Sequence, residues 1–273
     1  MAQRNGLELV YVNASQGIVT FTFDRDVLGP MRSEIVDLFT SSVAVSRSAS
    51  PPPGATDAEA AARRLLASVV LISPPVGSSG GRAAGFFITG DGYVMTNAHV
   101  ARDMPRVTVM LYDGRTIGGR TVGFVESGNP DVAVIKVDLA DAPMVEFGSS
   151  ADARQGDTVL KIGHAAGYGY WRVSGGRLLA PRTVPVQQLR ADAPGAPGDS
   201  GGPLFDPRGR VIGLVSGGSS EPQSGSARPA PFHVIWSWSE FDSLRIPPAT
   251  DAVPIDLARA KAAEIIARQG NVP

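Results

Sequence analysis

The stretch "APGDSGGPLFD", Ala196 to Asp206, sets a serine between an aspartate and two glycines. Two readings of Ser200 stand. Glycine and serine crowd into turns for backbone reasons alone, so a plain turn between two strands is one of them. The other is a nucleophile, and a serine hydroxyl becomes useful near neutral pH only with a general base in hydrogen-bond reach. The chain offers three histidines for that task, His99, His164 and His233. His99 closes an apolar strand in "GYVMTNAHVARD", where a turn or short helix would hold the imidazole at a cleft edge. His164 lies in the glycine-rich "KIGHAAGYGY" and is expected to be mobile. His233, in "PFHVIW", reads as a core or pocket-wall residue of a late strand. His99 is therefore the better fixed base.

A histidine base works best with a buried carboxylate that sets its tautomer and stabilises its cation. Asp131 opens "NPDVAVIKVD", directly before an apolar strand, where a side chain can point inward while its backbone joins a sheet. The plainer alternative is a turn made by Asn129, Pro130 and Asp131. Within "PGDSGGP", Gly198 lets the backbone turn so that its N–H and that of Ser200 face one point, an oxyanion hole. Gly201 and Gly202 leave room for another backbone to approach.

The elements that must position these groups follow from periodicity. Residues 1–47 carry two alternating runs, "LELVYV" and "GIVTFTF", which read as a hairpin. A helix is expected over "GPMRSEIVDLFTSS", where Met31, Ile35, Leu38 and Phe39 recur at helical spacing. Residues 48–56 are a Ser/Pro-rich linker, because three successive prolines fit neither a helix nor a central strand. A short helix, "AEAAARRLLAS", follows. Short strands with Gly, Pro and Asp between them then run from about Val69 to Trp236, the pattern of a sandwich or barrel rather than βαβ units. That stretch is long enough for two small barrels, about 66–140 and 145–245 within a unit spanning 57–245, with "DLADAPMVEFGSSADARQ" crossing between them. Residues 246–273 read as a helical tail.

Bulk properties exclude several classes. Twenty-five basic and 26 acidic residues leave a formal net charge of −1, so no general field favours nucleic acid or acidic membranes. Without cysteine there is neither a disulfide nor a thiolate nucleophile or ligand. No apolar run approaches the roughly 18 residues of a membrane span. The start lacks a basic segment followed by a long apolar run, so the chain is expected to be soluble, with the cytoplasm favoured. "GSSGGRAAG" lacks the Gly-Lys-Ser/Thr ending of a phosphate loop, and Gly85 is expected to make a close turn beside the active site. The three histidines are far apart and none sits in a His-Glu-x-x-His pattern, so no metal is expected.

"TNAHV", "NPDVAVIKV" and "PGDSGGPL", in this order and followed by "GRVIGLVSGG", resemble the trypsin-fold serine proteases, and within them the bacterial HtrA/Deg-like branch. The resemblance runs from about Ala67 to Trp236. It implies a mainly β fold, a double six-stranded β-barrel, here with an N-terminal α+β extension and a C-terminal helix. It also implies a Ser-His-Asp triad of Ser200, His99 and Asp131, with an oxyanion hole from the N–H groups of Gly198 and Ser200. Ser216, Gly217 and Gly218 match the strand edge that pairs with substrate backbone. Pro194 matches the base of the pocket for the residue before the scissile bond, and without a carboxylate there a small or medium apolar side chain is expected.

Two departures stand out. Asp199 replaces an asparagine common in HtrA-like members and makes the stretch look like digestive trypsins. In those, a newly cut N-terminus pairs with this aspartate. No "IVGG"-type start is present here, so Asp199 is left to find an internal Arg or Lys, or to stay at the surface. Only about 35 residues follow Trp236 to Trp238, too few for the PDZ domain usual in HtrA-like chains. The expected function is a cofactor-free serine endopeptidase acting on protein or peptide substrates through an acyl-enzyme. The alternative is a latent or inactive protease-fold module that binds proteins, switched on by a regulatory partner or by displacement of residues 1–47.

Overall fold

The computed structural model describes residues 3–4, 7–14, 17–24, 64–127, 129–164, 171–180, 188–193, 195–219, 233–234 and 249–269. The helix expected over 29–42, the linker at 48–56 and Pro194 lie outside the described residues. Three strands, β1 (Gln3–Arg4), β2 (Leu7–Ala14) and β3 (Gly17–Asp24), form an antiparallel ladder in which Leu7 pairs with Asp24 and Ala14 with Gly17. Residues 64–68 are helical.

Six strands follow: β4 (Val69–Ser73), β5 (Ala83–Phe87), β6 (Tyr93–Thr96), β7 (Arg106–Met110), β8 (Thr116–Phe124) and β9 (Ala133–Val137). They close into a barrel in the order β4-β5-β6-β9-β8-β7. A short helix, α1 (Ala98–Ala101), leaves the end of β6.

The second half adds β10 (Glu146–Phe147), β11 (Thr158–Gly163), β12 (Arg172–Arg177), β13 (Leu189–Ala191), β14 (Pro203–Phe205), β15 (Arg210–Ser219), β16 (His233–Val234) and β17 (Ala249–Pro254). Six of these lie in the order β12-β11-β14-β15-β17-β13, and an antiparallel bridge between Leu178 and Ala191 brings the two edges together. β10 joins β15 in parallel from outside this ring. β16 instead extends the first ladder by pairing with β3. The segment 246–273, read from the sequence as a helical tail, contributes β17 to the second sheet before its helix, α2 (Ile255–Gln269), begins.

Residues alternate between the two faces of a strand; in β4, β5, β6, β9 and β11 both faces are buried, whereas β7 and β8 leave one face partly exposed. In the first barrel, Val70, Ile72, Phe87, Val94, Ala133 and Ile135 fill the interior. Their neighbours Val69, Phe86, Met95, Val132 and Val134 face the other way, into a core shared with the second barrel. The second sheet divides in the same fashion. Leu160, Ile162, Phe205, Val211 and Val253 enter the shared core, while Val159, Leu204, Ile212 and Ala252 fill the sheet's own interior. Each of these valine, leucine, isoleucine, methionine and phenylalanine side chains contributes about 1.5–3 kcal/mol by leaving water, so the barrels are fused by apolar burial.

Gly85 departs from the expected turn. It lies within β5, paired with Val70, and a Cβ there would stand 2.7 Å from Ile72 and 2.8 Å from Val94. Its smallness serves barrel packing.

Helix α2 buries Ile255, Ala258, Ala262 and Ile265, spaced at three or four residues as one helical face requires. Its far end reaches β8, where Gln269 donates to the Val122 carbonyl at 3.0 Å. At its start, Asp256 accepts from the Ser150 hydroxyl at 2.7 Å and the Ser150 N–H at 2.8 Å. The hydroxyl bond from Ser150 is the main cause holding the Asp256 carboxyl below its ordinary value of 3.8. A carboxylate with a lowered folded-state pKa stabilises the fold above its ordinary pKa, and that contribution fades as pH falls through the folded value. Asp256→Asn is expected to lower Tm by roughly 2–4 °C at pH 7. Thermal melts at falling pH should show this difference shrinking below the ordinary Asp value of 3.8.

Candidate active site

Because Thr96 at the end of β6 pairs with Ala133 at the start of β9, the residues just beyond these ends face one another. Asn97 precedes α1 in an extended conformation, φ −85° and ψ 152°, and its side chain donates to the Asp131 carbonyl at 2.9 Å. The Asp131 carboxylate then receives two bonds from His99. The His99 N–H donates to Oδ1 at 3.0 Å, and Nδ1 lies 2.5 Å from Oδ2. A carboxylate partner holds the proton on Nδ1 and leaves Nε2 as the acceptor. The His99 side chain is 46% exposed against 20% for Asp131, so the imidazole opens to solvent while its partner is shielded. The Asn-Pro-Asp segment does more than turn the chain: it delivers a carboxylate to His99.

Ser200 comes from the other barrel, in the turn before β14. Its carbonyl accepts from the Ala84 N–H at 2.9 Å, and the Ala84 carbonyl accepts from the Thr96 hydroxyl at 2.8 Å. Gly201 sits at φ +83°, and a Cβ there would run into the Ala84 carbonyl oxygen and the Thr96 hydroxyl. On its other side the Gly201 N–H donates to the Val215 carbonyl at 2.8 Å. The serine turn is thus seated on β5 and on the end of β6, whose last residue, Thr96, stands three positions before His99. Gly198 takes φ +95°, a region open to glycine at little cost. The amides of Asp199 and Gly202 donate within the turn, to the carbonyls of Ala196 and Asp199 at 3.0 Å each. The Gly198 and Ser200 amides alternate with these.

Asp199 is buried, and its partner is internal. Oδ2 lies 2.8 Å from Lys161 Nζ on β11 and accepts the Ala196 N–H at 2.9 Å. Sequence reading left this partner open between an internal cation and solvent. Lys161 also reaches the Thr250 hydroxyl at 3.3 Å, and Thr250 donates to the Ala193 carbonyl at 2.7 Å.

Ser216, Gly217 and Gly218 lie on β15, where Gly217 pairs with Asp251 and Gly218 with Thr250 of β17. β14 accompanies β15 only from Val211 to Leu214. Beyond Val215, whose N–H donates to the Gly202 carbonyl, no strand lies along that edge of β15 among the described residues.

Among the described residues neither other histidine bonds Asp131, although the His164 backbone N–H donates to the Gly198 carbonyl of the serine turn at 3.3 Å. His164, expected in a mobile loop, is fully buried, with its ring 4.6 Å from that of Trp171. Trp171 is itself tied down by its indole N–H, which donates to the Val69 carbonyl at 2.8 Å. His233 is on β16, opposite Thr22 of the N-terminal ladder. Among the described residues no cluster of His, Asp or Glu has the makings of a metal site, and no helix is long and apolar enough to cross a membrane.

Residues 83–214 match the family described as "Trypsin-like peptidase domain". This stretch is similar to trypsin-like peptidase domains, and the relatives and solved structures it resembles are HtrA-type or DegP-like serine proteases. A "Probable periplasmic serine endoprotease DegP-like" from Halomonas elongata is 41% identical over 138 residues, which are 49% of this chain and 28% of that protein. One of the same description from Pseudomonas fluorescens is 35% identical over 137 residues, with the same shares. The match therefore spans little more than a quarter of these curated relatives. Among solved structures, the serine endoprotease from Yersinia pestis superposes with a TM-score of 0.60 at 25% identity, covering 77% of this chain and 66% of that one. The HtrA-type protease AlgW with a tripeptide gives 0.59 at 27% identity, covering 76% and 62%. The cytoplasmic expectation is corrected by these relatives, which are named periplasmic. It rested on the lack of a leader pattern, which says little about destination.

The seating of the serine turn is testable by one methyl group. Gly201→Ala should cost on the order of 3 kcal/mol of stability, since both obstacles to the new Cβ are fixed within the first barrel. Urea unfolding measures it, and an unchanged midpoint would contradict the close approach.

Proposed function

We propose that the protein is a serine endopeptidase that hydrolyses peptide bonds through an acyl-enzyme. The observation that carries this reading is the His99–Asp131 contact at 2.5 Å, on the same barrel face that seats the Ser200 turn. In this reading Ser200 Oγ attacks the scissile carbonyl carbon while His99 Nε2 takes the hydroxyl proton. Asp131 keeps the Nδ1–H tautomer and stabilises the imidazolium that forms. The tetrahedral oxyanion lies between the N–H groups of Gly198 and Ser200, which bonds within the turn leave over. His99 then gives its proton to the leaving amine. Water attacks the ester with His99 again as base, and the acid product departs with Ser200 restored. No cofactor enters.

The substrate backbone pairs along Ser216 to Gly218, adding a strand to the edge of β15 that no described strand occupies. The side chain before the cut is small or medium and apolar in this reading, because Pro194, at the position the resemblance gives to the pocket base, is not a carboxylate. The protease unit runs from about residue 57 through α2, because β17 and α2 belong to its packing. Residues 1–47 form an extension joined by the linker at 48–56.

A second reading is favoured by one observation. β16 lies in the segment that follows the substrate-pairing strand, and it pairs with β3 of the extension. In that reading residues 1–47 hold the protease latent until a protein partner displaces them.

A fluorophosphonate probe separates the readings. The full chain should label, Ser200→Ala should not, and His99→Ala and Asp131→Asn should each lower peptide kcat by roughly 10⁴-fold. Labelling that appears only after removal of residues 1–55 would favour latency. Labelling of neither form would sink the peptidase reading.

A further inference from the structure

An ammonium group with no exposure and a carboxylate 2% exposed face each other inside the second barrel. Two buried charges are costly to desolvate, and an apolar pair of similar size often serves stability as well. What such a pair can supply is geometry, and here its position is informative. The carboxylate belongs to Asp199, between Gly198 and Ser200, whose amides receive the oxyanion in the mechanism above.

Lys161 sits where the sheet yields least. β11 is paired on both sides, Lys161 with Ser174 of β12 and with Leu204 of β14. By strand alternation it shares a face with Val159, which fills the sheet interior, so its ammonium is delivered inward. From there it meets Asp199 Oδ2, and through the Thr250 hydroxyl it connects to the Ala193 carbonyl. Asp199 Oδ2 also accepts the Ala196 N–H. The segment from Ala193 to Asp199 is thereby held at both ends by side chains of two sheet strands. Nor is there slack around it. A Cβ on Gly163 would stand 2.5 Å from Asp199 Oδ1, and one on Gly202 would meet the Ile162 carbonyl oxygen.

We propose that Lys161 is a positioning residue that locks Asp199, and with it the Gly198 and Ser200 amides, in the oxyanion-receiving arrangement of the resting chain. The cation comes from the chain's own strand, so the hole needs no cleavage and no partner to assemble. The oxyanion role of these amides rests on the peptidase reading above; the fixing of the turn does not.

The test compares the full chain with Lys161→Met, Asp199→Asn and the double variant, each checked for a cooperative melt. Lys161→Met alone removes the ammonium that meets Asp199 Oδ2. It should lower kcat on a chromogenic peptide by about a hundredfold, the scale of losing an oxyanion donor. KM should hold within about threefold, since substrate pairing on β15 is untouched. In the double variant an asparagine keeps the acceptor for the Ala196 N–H without needing a cation, so kcat should recover at least roughly tenfold. Amide hydrogen exchange over 196–202 reads the same lock without activity. Exchange should quicken roughly tenfold in Lys161→Met and slow again in the double variant. A Lys161→Met enzyme with wild-type kcat and exchange would overturn the proposal. So would a folded double variant no better than Lys161→Met in both readouts. A wild-type chain inert to peptide and probe, but with the expected exchange pattern, would overturn the peptidase reading and leave the lock standing.

Discussion

The rest of this structure depends on apolar burial between two barrels whose facing strands, β4, β5, β6, β9 and β11 among them, are covered on both faces. A half-exposed sheet would need polar residues at every second position. Here Phe86 and Phe87 are adjacent, buried and assigned to different cores, and so are Val94 and Met95. The proposed site draws on both barrels: His99 and Asp131 come from the first, and Ser200, whose carbonyl accepts the Ala84 N–H, from the second. Helix α2 completes the clamp by holding Ser150 at one end and β8 at the other.

On that frame the chemistry is set by a few polar contacts within a packed surround. The Asp131 carboxylate binds His99 twice, through the ring and the backbone, so ring position and tautomer are fixed together. The serine turn is held by Ala84, by Val215, by the His164 N–H and by the buried Lys161–Asp199 pair. In the proposed peptidase reading both halves of the site are formed before substrate arrives, and preorganised dipoles of this kind would stabilise developing charge without rearrangement.

The sequence made some of this legible and hid the rest for physical reasons. Short strands with turn residues between them announced two barrels, and strand-end placement separated His99 from His233. His164 misled because glycines around a residue do not reveal the indole packed against it. Gly85 misled because turns and crowded barrel interiors both select glycine. β17 escaped notice because "ATDAVP" lacks alternation: Thr250 and Asp251 are buried through polar partners, Lys161 and Arg190. Lys161 carried a signal, a lone lysine within the apolar "TVLKIG", but one strand cannot say which acid it meets. The partner is 38 residues away.

The most direct test of the account is a crystal structure with a small peptide boronic acid, which forms a tetrahedral adduct with a serine nucleophile. The account predicts boron bonded to Ser200 Oγ, one boron oxygen within hydrogen-bond distance of the Gly198 and Ser200 N–H groups, and the peptide running antiparallel to Ser216–Gly218. Boron on another residue, or an adduct whose oxygen points away from those amides, would contradict it.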